Sequence, residues 1–327
     1  MKVYYDSDAD LSILDGQTVG IIGYGNQGRA QALNMRDSGV KAIVGSISDG
    51  SFERAQKDGF LTMSIADAVD RADILFLLVP DEVQKTVYDE IIASRLRAGQ
   101  TLNFAHGYNI RFGLIRPPQD IDVIMVAPRM IGVGVRERFE AGSGAPAFVA
   151  VEQDATGTAW PKALALAKAI GATKAGALGL TFAQETEMDL FMEQGVWPVI
   201  TRVLVLAFEV LVEKGFPPEA VVMEMYGSGE AAQILQEMAK VGLYGQMSFH
   251  SQTSQYGTLS RGQRMLPDSF RDKMLQALEE IKNGTFAAEW DAEQEAGYPA
   301  FKELKDTGLS HPINDAEKQL REIVQGL

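Results

Sequence analysis

Hydrophobic positions in the first 180 residues fall into short unbroken runs separated by amphipathic stretches. Residues 18–22, 42–44, 73–79, 101–104, 123–126 and 147–151 read as strands. The run 73–79 (DILFLLV) is apolar at nearly every position, the pattern of a strand buried on both faces. Residues 27–38, 51–58, 65–71, 82–94 and 155–170 repeat apolar positions at helical spacing. Strands alternating with helices of this length predict a doubly wound, mostly parallel sheet covered on both sides. Past residue 180 the pattern changes. Residues 182–214 carry almost no turn signals, and Gly215-Phe216-Pro217-Pro218 breaks the run. Further helices are predicted at 219–226, 230–241, 265–282 and 314–325. The division is placed at 1–181 for an α/β domain of Rossmann type and 182–327 for an all-α domain.

Composition narrows the chemistry. The chain has 327 residues, a formal charge of −14 and no cysteine. Disulfides, thiolate-bound zinc and a thiol nucleophile are excluded. The acidic balance argues against nucleic-acid or anionic-membrane partners. No segment is expected to reach the length of a membrane span, and residues 1–16 lack the apolar core of a signal peptide. A cytoplasmic protein is the expectation.

Gly23-Tyr24-Gly25-Asn26-Gln27-Gly28 is G-x-G-x-x-G, placed after a predicted strand and at the start of a predicted helix. The first glycine permits the tight turn. The second lets the backbone approach a pyrophosphate, and the third lets helix and strand pack closely. The end of the second strand selects the cofactor. There Ser46, Ser48 and Ser51 surround a single early acid, Asp49. A carboxylate accepts from ribose hydroxyls and repels a 2′-phosphate, which favours NADH over NADPH. Asp49 also suits the start of a turn.

In Glu185-Thr186-Glu187-Met188-Asp189-Leu190-Phe191-Met192-Glu193-Gln194, Asp189 and Glu193 are four apart and share a helical face. Mg²⁺ suits one or two carboxylates with retained water and substrate oxygens. Glu224 and Glu230 form a second acidic patch, and acids from two helices of a bundle make a metal site.

At this point the residues resemble those of the ketol-acid reductoisomerases. The matching runs are Ile22–Gly28, Leu78-Val79-Pro80-Asp81-Glu82 with Gln84, residues 104–110 (FAHGYNI), Val126-Ala127-Pro128-Arg129, and residues 181–194. Phe208-Glu209, Gln255-Tyr256-Gly257 and Gly284-Thr285-Phe286-Ala287 follow in order. The resemblance implies a Rossmann domain, a knotted helical domain of the short form, and a homodimer or higher homo-oligomer whose partner chain completes the active site. It implies one or two Mg²⁺ ions, NAD(P)H, and a small 2-hydroxy-2-alkyl-3-oxo acid as substrate. The alkyl group migrates and hydride then reduces the product. His106, Arg129, Glu193 and Ser251 fall at catalytic positions. Asp189, Glu193, Glu224 and Glu230 fall at or near metal positions, and Pro80, Asp81, Gln84, His106 and Gly132 join the glycine turn around the cofactor.

Several positions depart from the family pattern. Arg129 stands where the family has lysine, Arg111 where it has histidine, and Met130-Ile131-Gly132 where it has Gly-Pro-Gly. Ser228 occupies the place of the second glutamate of the later helix. The pair Gly227 and Gly229 should break that helix and shift Glu230 toward the missing acid. His250 and two amides replace acids in residues 250–255. These changes leave two alternatives open: a reductase of 2-keto or 2-imino acids without the isomerase step, and a non-catalytic dinucleotide sensor.

Overall fold

The computed structural model describes residues 1–324. The chain forms two compact units that divide between Met188 and Asp189.

In the first unit, β1 (Val3–Tyr4) precedes β2 (Val19–Ile22), α1 (Asn26–Asp37), β3 (Ala42–Gly45), α2 (Gly50–Lys57) and β4 (Thr62–Met63). Then come α3 (Ile65–Arg71), β5 (Ile74–Leu77), α4 (Asp81–Val87), β6 (Thr101–Phe104), α5 (Tyr108–Arg111) and β7 (Asp122–Pro128). The unit ends with α6 (Gly132–Glu140), β8 (Ala147–Gln153), α7 (Ala159–Ala169), α8 (Ala172–Ala175), β9 (Ala177–Gly179) and most of α9 (Phe182–Phe191). The strand order is β1-β9-β8-β7-β6-β5-β2-β3-β4. Strands β2 to β7 pair in parallel, whereas β7/β8 and β1/β9 are antiparallel. Alternation divides the core. Ile21, Val44, Phe76 and Ile124 face one layer with α1 and α7 residues, and Ile22, Leu75, Leu77, Phe104 and Met125 face the other. The order reverses beside β2, which has β3 on one side and β5 on the other. Ligands of open α/β sheets bind beyond the strands' carboxyl ends at such a switch point.

The second unit is helical: α10 (Trp197–Glu213), α11 (Pro218–Val222), α12 (Glu230–Val241), α13 (Gln252–Met265), α14 (Phe270–Lys282), α15 (Thr285–Glu295), α16 (Pro299–Leu309) and α17 (Ile313–Ile323). Its largest core is small, centred on Phe208, Val221, Val222, Ile313, Ala316 and Leu320. Three elements depart from expectation. Helices α13, α15 and α16 were not predicted. Met265 ends a helix rather than starting one, because Pro267 interrupts the turn. The helical run Phe182–Glu213 is long and apolar enough to cross a membrane by length and composition, contrary to the sequence expectation. Trp197, Ile200, Val203, Leu206 and Val210 are exposed along a broad apolar side of α10.

The predicted break at Gly227–Gly229 is present. Residues Met223–Gly227 form a π turn, Gly229 has φ +83°, and α12 begins at Glu230.

Candidate active site

The glycine turn follows β2 and leads into α1. Gly23 has φ +95°, and a Cβ there would lie 2.9 Å from the Val79 nitrogen. A Cβ on Gly28 would overlap the Gly23 carbonyl oxygen. Both glycines are therefore required by the protein's own packing. Gly25 differs: a Cβ there would meet no protein atom within 4 Å. The space in front of it is open, the cradle a pyrophosphate would fill. Gly25 also caps α1 with no side-chain bond, so the first N–H groups of the helix are available to an anion.

A cavity of about 700 Å³ opens along these strand ends. Gly23, Tyr24, Gly25, Asn26, Gln27, Ser46, Asp49, Ser51, Pro80, Asp81, Gln84 and His106 line it. Among the described residues, no lysine or arginine lines it. Asp49 caps α2 by accepting from the Ser51 and Phe52 N–H groups, both through Oδ1. It is thus the turn-starting residue and an acid at the cavity at once.

Five of the expected cofactor residues, Gly28, Ser48, Gly132, Tyr24 and Gln84, are set apart by their surroundings. Gly28 is a packing glycine. Ser48 is exposed and does not line the cavity. A Cβ on Gly132 would overlap the Asn26 carbonyl, so this glycine seats α6 against the start of α1. The Tyr24 side chain is turned into the core, 1% exposed, and its hydroxyl donates to Asp58 at 2.9 Å. Gln84 lines the cavity but works as a brace. Its amide donates to the Val79 carbonyl and to Asp81, and it accepts from Asn109.

Beyond β6 lies a charged cluster. Glu185, on α9, is fully buried. Its Oε1 accepts from Arg129 at 2.9 Å, and its Oε2 accepts from the Gly107 N–H at 2.9 Å. The His106 Nδ1 lies 3.1 Å from Oε2. An ionised carboxylate only accepts, so Nδ1 carries the hydrogen and Nε2 is the ring atom able to exchange a proton. Gly107 has no room for a side chain, since a Cβ would overlap the Thr186 hydroxyl. Arg129 also lies over the Phe148 ring, and Arg111 pairs with Glu187 at 2.8 Å. Two of the residues that depart from the family pattern thus bind acids of α9.

His106, Glu185 and Asp189 each offer a ligand atom, all within 4.8 Å of one another. Glu185 was not singled out by the sequence. Its oxygens are already taken by Arg129, His106 and a main-chain N–H, so it serves poorly as an ion's ligand. A nitrogen donor also suits Mg²⁺ poorly. Asp189, half-buried and one turn beyond Glu185, fits the oxygen preference of Mg²⁺. Glu193 follows within the π turn Met192–Val196. Among the described residues, the three-residue group does not include Glu193, Glu224 or Glu230. Glu224 is exposed within the second unit's other π turn. π turns inside helices are frequent at functional sites. Glu230 and His250 line one cavity of about 400 Å³ with Gln233, Glu237, Gln246 and Phe249. The His250 Nε2 lies 2.9 Å from the Gln246 amide oxygen. Ser251 caps α13, its hydroxyl accepting from the Ser254 N–H.

Two family models cover most of the chain. Residues 13–176 match "Acetohydroxy acid isomeroreductase, NADPH-binding domain", and residues 182–325 match "Ketol-acid reductoisomerase, C-terminal domain". The chain belongs to the ketol-acid reductoisomerase family. It is 45% identical to the ketol-acid reductoisomerase (NADP(+)) of Pyrobaculum calidifontis, with 99% of each chain covered. It is 44% identical to that of Methanocaldococcus jannaschii, covering 99% of this chain and 98% of the relative. The structure of an NADH-preferring ketol-acid reductoisomerase from an uncultured archean superposes with a TM-score of 0.95. That match has 38% identity and covers 99% of this chain and 100% of the other.

Proposed function

We propose that the chain is a ketol-acid reductoisomerase. It moves an alkyl group within a 2-hydroxy-2-alkyl-3-oxo acid of the 2-acetolactate type and reduces the product to the 2,3-dihydroxy acid. The observation that carries this reading is His106. It lines the dinucleotide cavity and also belongs to the cluster with Glu185 and Asp189. The hydride-delivering end of a cofactor and the acid that would hold a metal therefore share one residue. Asp189 and Glu193 would hold Mg²⁺, with Glu224 and Glu230 supplied from the later helices. Bound Mg²⁺ supplies Lewis acidity to the substrate's carbonyl and hydroxyl oxygens. Glu185 fixes the tautomer of His106, leaving Nε2 as the ring atom that would accept a proton. Arg129 keeps a permanent charge beside Glu185 and does not exchange protons.

NADH is the proposed preferred cofactor. Asp49 at the ribose end supports it, as does a lining that holds no lysine or arginine among the described residues. The NADP(+) names of the curated relatives and the NADH preference of the archaeal structure leave both cofactors represented in the family. A second copy of this chain is the proposed cover for the apolar side of α10. One small core beneath so much exposed Trp, Ile, Val and Leu supports a homodimer in the cytoplasm over a membrane span.

The test is turnover of 2-acetolactate with Mg²⁺ and NADH, followed by cofactor oxidation. Oxidation abolished by a chelator is expected. Asp189→Asn should abolish turnover while leaving the NADH Kd within about twofold, since the dinucleotide cavity does not include Asp189. Unchanged turnover in that variant removes Asp189 from the mechanism. Oxidation only with a pre-isomerised 3-hydroxy-2-keto acid would make the chain a reductase lacking the first step.

A further inference from the structure

Helix α2 sits at the ribose end of the cofactor cavity, yet packing holds it weakly. Of its eight residues only Ala55 is buried. Its start, Asp49 and Ser51, lines the cavity. Its far end is held by a polar clasp. Asp58, the residue that ends α2, accepts from the Tyr24 hydroxyl at 2.9 Å and from Arg29 Nε at 2.7 Å through Oδ2. Arg29 Nη2 reaches Oδ1 at 3.2 Å, and Arg36 donates to the Asp58 carbonyl at 2.6 Å. The Tyr24 ring packs edge-on against Phe60, and the Arg36 guanidinium lies over the Phe60 ring, 5.1 Å from its centre. Tyr24 itself belongs to the glycine turn. The residue between Gly23 and Gly25 is thus tied to the end of the helix whose start lines the cavity.

We propose that Tyr24, through its bond to Asp58, is a positioning residue for the dinucleotide, fixing the distance between its pyrophosphate and adenosine-ribose sites. Burial and the neighbouring Asp58 push the phenol far above its ordinary range, so the hydroxyl stays protonated and remains a donor. The Arg29 bonds hold the Asp58 carboxyl below its ordinary range, so it stays ionised and accepts. The clasp is therefore intact across the neutral range. Its effect is confined to ligands that span both sites.

This inference rests on the dinucleotide reading, and the experiment separates the two. Binding of NADH and of reduced nicotinamide mononucleotide, which lacks the adenosine half, is measured by fluorescence titration on the wild type and Tyr24→Phe. Failure of the wild type to bind NADH overturns the dinucleotide reading itself. With that binding in place, Tyr24→Phe is expected to raise the NADH Kd about fivefold, the scale of one hydrogen bond to a charged group shared between folding and binding, and to leave the mononucleotide Kd unchanged. A tyrosine that only stabilises the fold would lower the melting temperature without separating the two ligands. Equal Kd changes for both ligands, or none for either, overturn the proposal. If Tyr24→Phe does not fold, Arg29→Gln, at a side chain 46% exposed, opens the same clasp and is read the same way.

Discussion

Gly25 provides the sharpest test of the cofactor site, because stability and binding should respond to it in opposite ways. Its φ of −79° and ψ of −157° lie in the extended region that alanine adopts without strain. No protein atom lies within 4 Å of the added Cβ. Gly25→Ala should therefore leave the fold intact, or stabilise it by about 0.4–1 kcal/mol through the lost entropy of the unfolded chain. For a unit of this size that is a rise of roughly 1–4 °C in melting temperature. The methyl group would occupy the space that the turn leaves open and hold an incoming pyrophosphate away from the N–H groups of α1. Loss of one hydrogen bond to a charged group costs about 1.5–3 kcal/mol, a rise in Kd of roughly ten- to a hundredfold. Gly28→Ala is the control. Its Cβ would overlap the Gly23 carbonyl and touch Ile21, so overpacking of about 1–3 kcal/mol should lower the melting temperature. Thermal unfolding followed by NADH titration of the three proteins decides the matter. A Gly25→Ala protein that melts normally and binds NADH with unchanged Kd would refute the placement of the pyrophosphate.

Two further outcomes follow from the same geometry. Asp49→Ser keeps a side chain that caps α2 while removing the charge at the ribose end, so the ratio of kcat/KM for NADPH over NADH should rise about tenfold; a ratio that does not move would take Asp49 out of cofactor choice. At the opposite edge of the sheet, buried Asp122 accepts from Lys162 at 2.8 Å and from Thr156 at 2.7 Å. Burial alone would raise its pKa, but those bonds prevail and hold it below the ordinary carboxylate range. A lowered folded-state value means that Asp122 contributes stability above the unfolded-state pKa of about 3.9, and that this is lost as pH falls through the folded-state value. Lys162→Met should cost stability at the low end of about 3–5 kcal/mol, because the Ala155 and Thr156 N–H groups still hold the carboxylate. It should also move the acid unfolding edge to higher pH; denaturant melts between pH 3 and 7 check both, and an unshifted edge would refute the pairing.

Much of the first unit was legible in one dimension because each signal there is local. The runs 65–71 and 101–104 matched their elements residue for residue, and the glycine turn was read together with the strand and helix that flank it. The short strands β1, β4 and β9 were not legible. Two or three residues carry no period, and pairing alone makes them strands. Helix α13 failed for a different reason. It buries no residue, carries Gly257 and Gly262, and shows little apolar stripe to detect.

The candidate site divides along the same line. Spacing singled out Asp189 and Glu193 as a pair four apart, but the same stripe extends one step further back, to Glu185. That signal was available in the sequence. What no spacing could supply is that the Gly107 N–H and Arg129, 78 and 56 residues earlier, converge on the Glu185 carboxylate. The convergence also gives the Arg129 departure a physical reason. A buried carboxylate needs a partner that stays charged, and guanidinium supplies it at any pH the protein meets. With Glu185 neutralised by Arg129 and shared with His106, a divalent ion bound here would draw on Asp189, the acid one turn further along the helix.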